Sequence, residues 1–192
     1  EQVRETLGEE VPVADGLSFG CVMKSLSNEF WRTLEEGYQK AEENVKAAGA
    51  DFSVEIDATT DEADEIGQQT MTSNFVNQGV SAILASPISD SNLTSAVEDA
   101  QSNGIPVFNV NEGVDGIGEA YDSIRAGKLD ATVDSFPYYM AQVATEVALR
   151  SAAGQDIPRV VATPQALIDS ENVDQDAAEI IGWTDTTYTK AE

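Results

Sequence analysis

Residues 17–49 read LSFGCVMKSLSNEFWRTLEEGYQKAEENVKAAG, and the fold is decided there. Leu17, Phe19, Cys21, Val22 and Met23 form an apolar run of strand length, the pattern of a strand covered on both faces. Phe30, Leu34, Tyr38, Ala41, Val45 and Ala48 then recur at three- and four-residue spacing, which places them on one face of a helix. Gly49 stands where such a helix needs a residue that accepts positive φ. A strand running through a polar loop into a helix is the first half of a βαβ unit. Loops of that kind lie at the carboxyl end of a parallel sheet, where ligands bind.

The unit repeats along the chain. Residues 51–57 (DFSVEID) alternate like a strand with one polar face, and Thr59 with Glu62 forms a capping box for a helix over 60–78. VSAILASP (80–87) is a third strand, Asp90 caps a helix reaching Asn103, and IPVFNV (105–110) is a fourth strand. Strand and helix alternating through short connections predict an α/β fold with a doubly wound parallel sheet. The rhythm then changes. Ile117, Tyr121 and Ile124 mark a short helix over 117–126, LDATV (129–133) a strand, 136–153 a helix and PRVVATP (158–164) a last strand. From Gln165 onward the chain reads as loop and tail, and residues 1–16 as an acidic tether.

Composition narrows the function. With 35 acidic and 10 basic residues the formal charge is −25, and the excess is spread over the whole chain. Such a chain lacks the cations that nucleic acid or an anionic membrane surface requires. Self-repulsion at this density predicts a protein built for high salt. Cys21 is the only cysteine, so no internal disulfide forms, and its apolar setting marks it as a small core residue. No apolar stretch approaches membrane-spanning length. Without histidine there is no Ser-His or Cys-His constellation, so no enzyme is expected. The acidic run 57–65 lacks the glycine that a calcium loop needs and reads as a solvated helix start; neither metal nor cofactor is expected. Asn92-Leu93-Thr94 is a glycosylation sequon, which makes Asn92 a candidate modification site on an extracellular chain.

Seven segments, FGCVMKSLSNEFW, AAG at 47–49, the Asp57–Asp61 turn, QGVSAILASPISDSNL, AQSNGIPVFNVN, VDGIGEAYDSIRAGKLDATV and PYYMAQVATEVAL, occur in one order over about residues 17–173. Together they resemble the periplasmic sugar-binding proteins of ABC importers, the ribose-binding type whose fold is shared with LacI-type effector domains. The resemblance implies two similar lobes, each a Rossmann-like sheet, with a sugar between them. It also implies a large departure. Most of a second lobe, on the order of a hundred residues, has no counterpart between Asn111 and Asp115. The expected organisation is a first lobe from 17–111 with 128–154, and a remnant of the second lobe, hinge and tail from 112–127 and 155–192.

By the same resemblance Asn28, Phe30 and Trp31 fall on the loop that contacts sugar, with aromatic rings stacking on its apolar faces and polar groups binding its hydroxyls. Phe30 equally starts the helix's core face. Trp31 lies off the Phe30–Leu34 stripe and is expected to face the ligand. Asn111 and Glu112 stand where many relatives carry Asp-Arg, which leaves room for a ligand other than ribose. Asp115 matches the ligand-binding aspartate of the VDG motif and Asp134 a polar hinge position, though a turn or capping role accounts for each equally well. The implied function is an extracellular or periplasmic solute-binding protein, membrane-tethered through a segment outside these residues. It would bind a monosaccharide-like ligand and serve ABC permease subunits. Two alternatives stand beside it: a structural or assembly protein that forms a homo-oligomer through the exposed cleft face, and the effector-sensing domain of a LacI-type regulator.

Overall fold

The structure, a computed structural model, describes residues 12–89, 91–110, 118–127, 131–182, 188 and 190–191. Strands β1 (Leu17–Ser25), β2 (Phe52–Thr59), β3 (Ala82–Ala85) and β4 (Val107–Asn109) form a parallel sheet in the order β2-β1-β3-β4. β1 lies between two neighbours, with Phe19 opposite Val54 and Ala82, and Cys21 opposite Ile56 and Leu84. Side chains of a strand alternate between faces. Phe19, Cys21 and Met23 therefore enter one core with Leu34, Tyr38 and Val45 of helix α1 (Glu29–Ala47). Val22 enters a second core on the opposite face. There it meets Phe75 and Val76 of α2 (Glu65–Gln78) and Ala100 of α3 (Thr94–Ser102). Gly20 also faces that side, where a Cβ would lie 2.5 Å from the Phe75 ring. Burial on both faces is why this strand reads as a continuous apolar run, as expected.

Helix α5 (Pro137–Ala152) crosses α1 and contributes Met140, Ala141 and Ala148 to the first core. The remaining elements gather around a small separate core. Strands β5 (Ala131–Asp134) and β6 (Ala166–Asp169) pair antiparallel, beside α4 (Gly118–Arg125) and α6 (Ala177–Ile181). Ile124, Phe136, Ile168 and Val173 are buried there, with Tyr121, Tyr139 and Ala177 packed on them. Arg125 fastens this module. It donates from Nη1 to Asp122 at 3.0 Å, from Nε to Asp174 at 2.8 Å and from Nη2 to the Val173 carbonyl at 3.2 Å.

Several expectations need correction. α2 begins five residues after Thr60, capped by Asp64, whose Oδ1 accepts from the Gly67 N–H at 2.8 Å. Thr59 instead ends β2, and its hydroxyl bonds the Lys24 and Asp61 carbonyls. Asp90 lies outside the described residues; α3 starts at Thr94 after Leu93, with no side-chain cap. LDATV does contain a strand, but β5 pairs with β6 and not with the parallel sheet. PRVVATP is irregular, and β6 and α6 form in the stretch expected to be loop and tail. Two prolines bracket residues 158–164 and remove ladder donors. The short ALID run gains its partner only through the distant β5. At the amino end the tether is fixed from Val13. Val13 is buried, pairs with Lys190 and accepts from the Ala191 N–H at 2.8 Å, while Asp15 forms an ion pair with Lys190.

Candidate functional site

The carboxyl ends of the parallel strands are tied down by polar groups rather than by apolar packing. Ser25 and Ser27 hydroxyls lie 2.9 Å apart, and Arg32 Nη1 donates to the Leu26 and Ser27 carbonyls at 2.8 and 2.9 Å. Asn28 caps α1, its Oδ1 accepting from the Phe30 N–H at 2.9 Å. Gln68, fully buried on α2, spans the ends of β1 and β3. Its Nε2 donates to the Met23 carbonyl at 3.4 Å and the Ser86 carbonyl at 2.8 Å. Its Oε1 accepts from the Ile88 N–H at 3.0 Å and from Asn92 Nδ2 at 2.7 Å. Asn92 is only 4% exposed and its amide is committed to Gln68, so the folded sequon presents no accessible acceptor and the glycosylation expectation is withdrawn.

A cavity of about 390 Å³ opens between the start of α1, helix α4 and the β5–α5 corner. Phe30 and Thr33 form one wall, Tyr121 and Arg125 another, and Asp134 and Tyr138 a third. Asp134 is buried and organises the corner. Its Oδ1 accepts from the Phe136 N–H at 2.7 Å and its Oδ2 accepts from the Tyr121 hydroxyl at 2.6 Å. Burial, and then the bond to Asp134, push the Tyr121 hydroxyl well above the ordinary tyrosine range, so it remains a protonated donor. Phe136 adopts φ 48°, a left-handed conformation that a bulky residue enters only under constraint. Pro137 follows and starts α5, which sets Tyr138 and Tyr139 in the helix's first turn, their rings edge-on with centroids 5.1 Å apart.

The structure therefore brings Phe30 and Asp134 to one cavity and leaves Asn28 beside it as a helix cap. Asn111, Glu112 and Asp115 lie outside the described residues. Trp31 goes elsewhere. It is 1% exposed, packs edge-on against Phe30 with centroids 4.8 Å apart, and its Nε1 donates to Glu62 at 3.0 Å beneath the Lys24 ammonium. The expectation that Trp31 faces the ligand rested on its being off the apolar stripe, and that is corrected here. Trp31, Leu34 and Tyr38 are spaced by three and four, so the stripe is wide enough to include it. Trp31→Ala is accordingly expected to lower unfolding free energy by about 3–5 kcal/mol in a denaturant titration, as for other deleted core aromatics. A loss below about 1 kcal/mol would contradict the packing role.

Tyr121, Tyr138, Tyr139 and Arg125 were not among the site residues expected from the sequence, where Tyr121 only marked a helix face. Only the adjacent tyrosines after Pro137 carried a signal, an aromatic pair at a helix start, and the helical pattern absorbed it. A larger cavity of about 490 Å³ lies beside β4, between Val107, Phe108, Met140, Val143 and residues 157–165. Its walls combine aliphatic side chains and the Phe108 ring with the polar side chains of Asn109, Arg159, Thr163 and Gln165, and it lacks the several aromatic rings of the smaller cavity. Among the described residues no cluster of metal-binding side chains is found, and no helix is long and apolar enough to cross a membrane.

The parallel α/β lobe and the small antiparallel module thus border an open cavity at the start of α1. Residues 19–113 match the periplasmic binding protein domain, a family of binding proteins rather than enzymes. It is 32% identical over 97 residues to the D-allose-binding periplasmic protein of Escherichia coli K12, covering 50% of this chain and 30% of that protein. The ribose import binding protein of Bacillus subtilis is 28% identical over 118 residues, 59% of this chain and 36% of that protein. These sequence matches thus span about a third of the curated relatives' own length. Backbone similarity extends further. The periplasmic solute-binding protein of an Actinobacillus succinogenes ABC transporter, with bound D-allose, superposes with a TM-score of 0.76 at 13% identity, over 83% of this chain and 100% of that one. A solute-binding protein from Agrobacterium vitis with bound D-fucose gives a TM-score of 0.73 at 14% identity, over 85% and 99%.

Proposed function

We propose that the chain is the sugar-binding part of a solute-binding protein serving a carbohydrate ABC importer, working outside the cytoplasmic membrane. One observation carries this reading. Phe30 and Asp134, far apart in the chain and each largely buried, border the same cavity, where the half-buried rings of Tyr121, Tyr138 and Tyr139 supply aromatic surface beside a fixed carboxylate. A sugar needs that combination, flat apolar surface beneath its C–H face and oriented acceptors for hydroxyls that would otherwise lose hydrogen bonds. Asp134 is held by Tyr121 and the Phe136 N–H, so it meets a ligand without rearranging. Movement of the α4–β5–β6 module toward the parallel lobe would close the cavity, and a permease would read that closure.

The cavity is open to solvent, so its hydrogen bonds are weaker than in a sealed cleft. Affinity for a monosaccharide such as D-allose or D-ribose is expected in the millimolar range, roughly −4 kcal/mol. Amide shift perturbations in a sugar titration should cluster at residues 29–33, 121–125 and 134–139, and Phe30→Ala should remove them. A panel of aldoses and polyols that shifts none of these resonances, or shifts that persist in Phe30→Ala, would overturn the reading.

A further inference from the structure

Among the described residues β4 is an outermost strand of the parallel sheet, and a cavity flanks it on each face. The one of about 490 Å³ lies on the α5 side. The other, of about 350 Å³, lies on the α3 side and is lined by Leu93, Val97 and Val107. The Ile83 N–H donates to the Pro106 carbonyl at 2.9 Å and the Val110 N–H to the Ala85 carbonyl at 2.7 Å. Alternate residues of β4 therefore bond to β3, and those are the ones, Phe108 and Val110, that face the α5 core. Val107 faces the α3 core, and its backbone N–H and C=O point to the outer edge.

Residues 157–165 run beside that edge. α5 starts next to α1, past the carboxyl end of β1, and ends at Ser151 and Ala152 beside Ile105 and Pro106, at the amino end of β4. The chain then returns to Gln165, whose Nε2 donates to Ser135 Oγ at 3.3 Å, just before α5. Its direction is thus that of β4. Ile157, Arg159, Val161, Thr163 and Gln165, every second residue, line the α5-side cavity, with Pro158 the one addition. Val160 between them is 78% exposed. That alternation belongs to a strand, although the segment has no ladder. We infer that residues 159–163 are a strap that zips onto the outer edge of β4 as a fifth parallel strand. Pairing would fasten the β5–β6 module to the sheet, because β6 begins at Ala166.

The parity of the segment fits this seat. In a parallel sheet, residues whose side chains face one side all turn their backbone groups the same way. Arg159, Val161 and Thr163 face α5, so they would turn theirs to β4, as Phe108 does to β3. Pro158 and Pro164 have the opposite parity and fall on the outside, where an edge strand needs no donor. The prolines bar this segment from the interior of a sheet but not from its edge. Val160 would leave water for the α3-side cavity, against Val97 and Val107.

The test is amide exchange of the full chain in molar potassium chloride, followed by NMR, with Cys21 and Leu84 as controls for the sheet centre. The Val107 amide should exchange about tenfold more slowly than in an unstructured peptide. Val161→Pro removes a donor facing β4 and should return Val107 to the peptide rate. Ala162→Pro, of the opposite parity, should leave the protection in place. Val160→Asp should weaken it without removing any donor, since a carboxylate resists the apolar seat. A Val107 amide at the peptide rate in the parent overturns the strap. So does protection that survives both Val161→Pro and Val160→Asp, or that falls equally in Ala162→Pro and Val161→Pro. If Val161→Pro also exposes Leu84, the protein has lost its sheet, and Val160→Asp against Ala162→Pro decides alone.

Discussion

Gly37→Val is expected to destabilise the protein by about 2–4 kcal/mol, against the direction that helix propensity alone would give. Gly37 sits in the middle of α1, where glycine costs about 1 kcal/mol relative to alanine. On an isolated helix its replacement by alanine would therefore stabilise. In the folded chain a Cβ at this position would lie 2.2 Å from the Tyr138 carbonyl oxygen and 2.8 Å from the Ala141 Cβ. One of these obstacles is backbone, so no side-chain rotation relieves it, and α5 must move off α1. The first turn of α5 carries Tyr138 and the corner fixed by Asp134, so the displacement also opens the cavity. Denaturant titrations of Gly37→Ala and Gly37→Val would show both effects, valine the larger, with sugar-dependent shifts lost in step. A Gly37→Ala protein more stable than the parent would refute the close helix contact.

The parallel lobe was legible in the sequence because each of its strands is local in character. β1 reads as a buried run and α1 as an amphipathic face, and both lie where residues 17–49 place them. What the sequence hid depends on distant partners. LDATV was recognisable as a strand, yet nothing in five residues says that its neighbour is 166–169 and not β4. Asn92 reads as a sequon until Gln68, on another helix, is seen to hold its amide. Trp31 was misassigned for a narrower reason. A stripe counted only from Phe30 in steps of four excludes it, whereas the buried face of α1 includes Phe30, Trp31 and Gly37 together. At the site, Phe30 and Asp134 could be named from a family resemblance. The three tyrosines and the ion-paired Arg125 around them could not, because α4 and the β5–α5 corner meet only in the folded chain.

The largest effect is expected from salt. Transfer from molar potassium chloride to dilute buffer should lower the melting temperature by about 10–20 °C, since each kcal/mol moves the midpoint of a chain this size by about 2–4 °C. The acidic excess is 35 against 10, and the folded chain does little to neutralise it. Glu29, Glu36 and Glu43 are exposed on α1 at seven-residue spacing, along one side of a single helix. The pairs Lys40–Glu43 and Lys46–Glu42 on the same helix are solvent-accessible, so they contribute little. The Arg150–Glu146 pair is buried, but it cancels only its own carboxylate. Folding brings these charges within reach of one another, while the unfolded chain lets them separate. In about 0.01 M salt the Debye length is about 30 Å and the whole molecule repels itself; in 1 M it is about 3 Å, shorter than most of the distances involved. Screening can be separated from general salt effects on apolar burial by removing charge. Glu36→Gln with Glu43→Gln should raise the midpoint in dilute buffer and leave it nearly unchanged in molar salt. A midpoint independent of salt, or a double variant that gains equally in both buffers, would show that self-repulsion does not limit the stability of this fold.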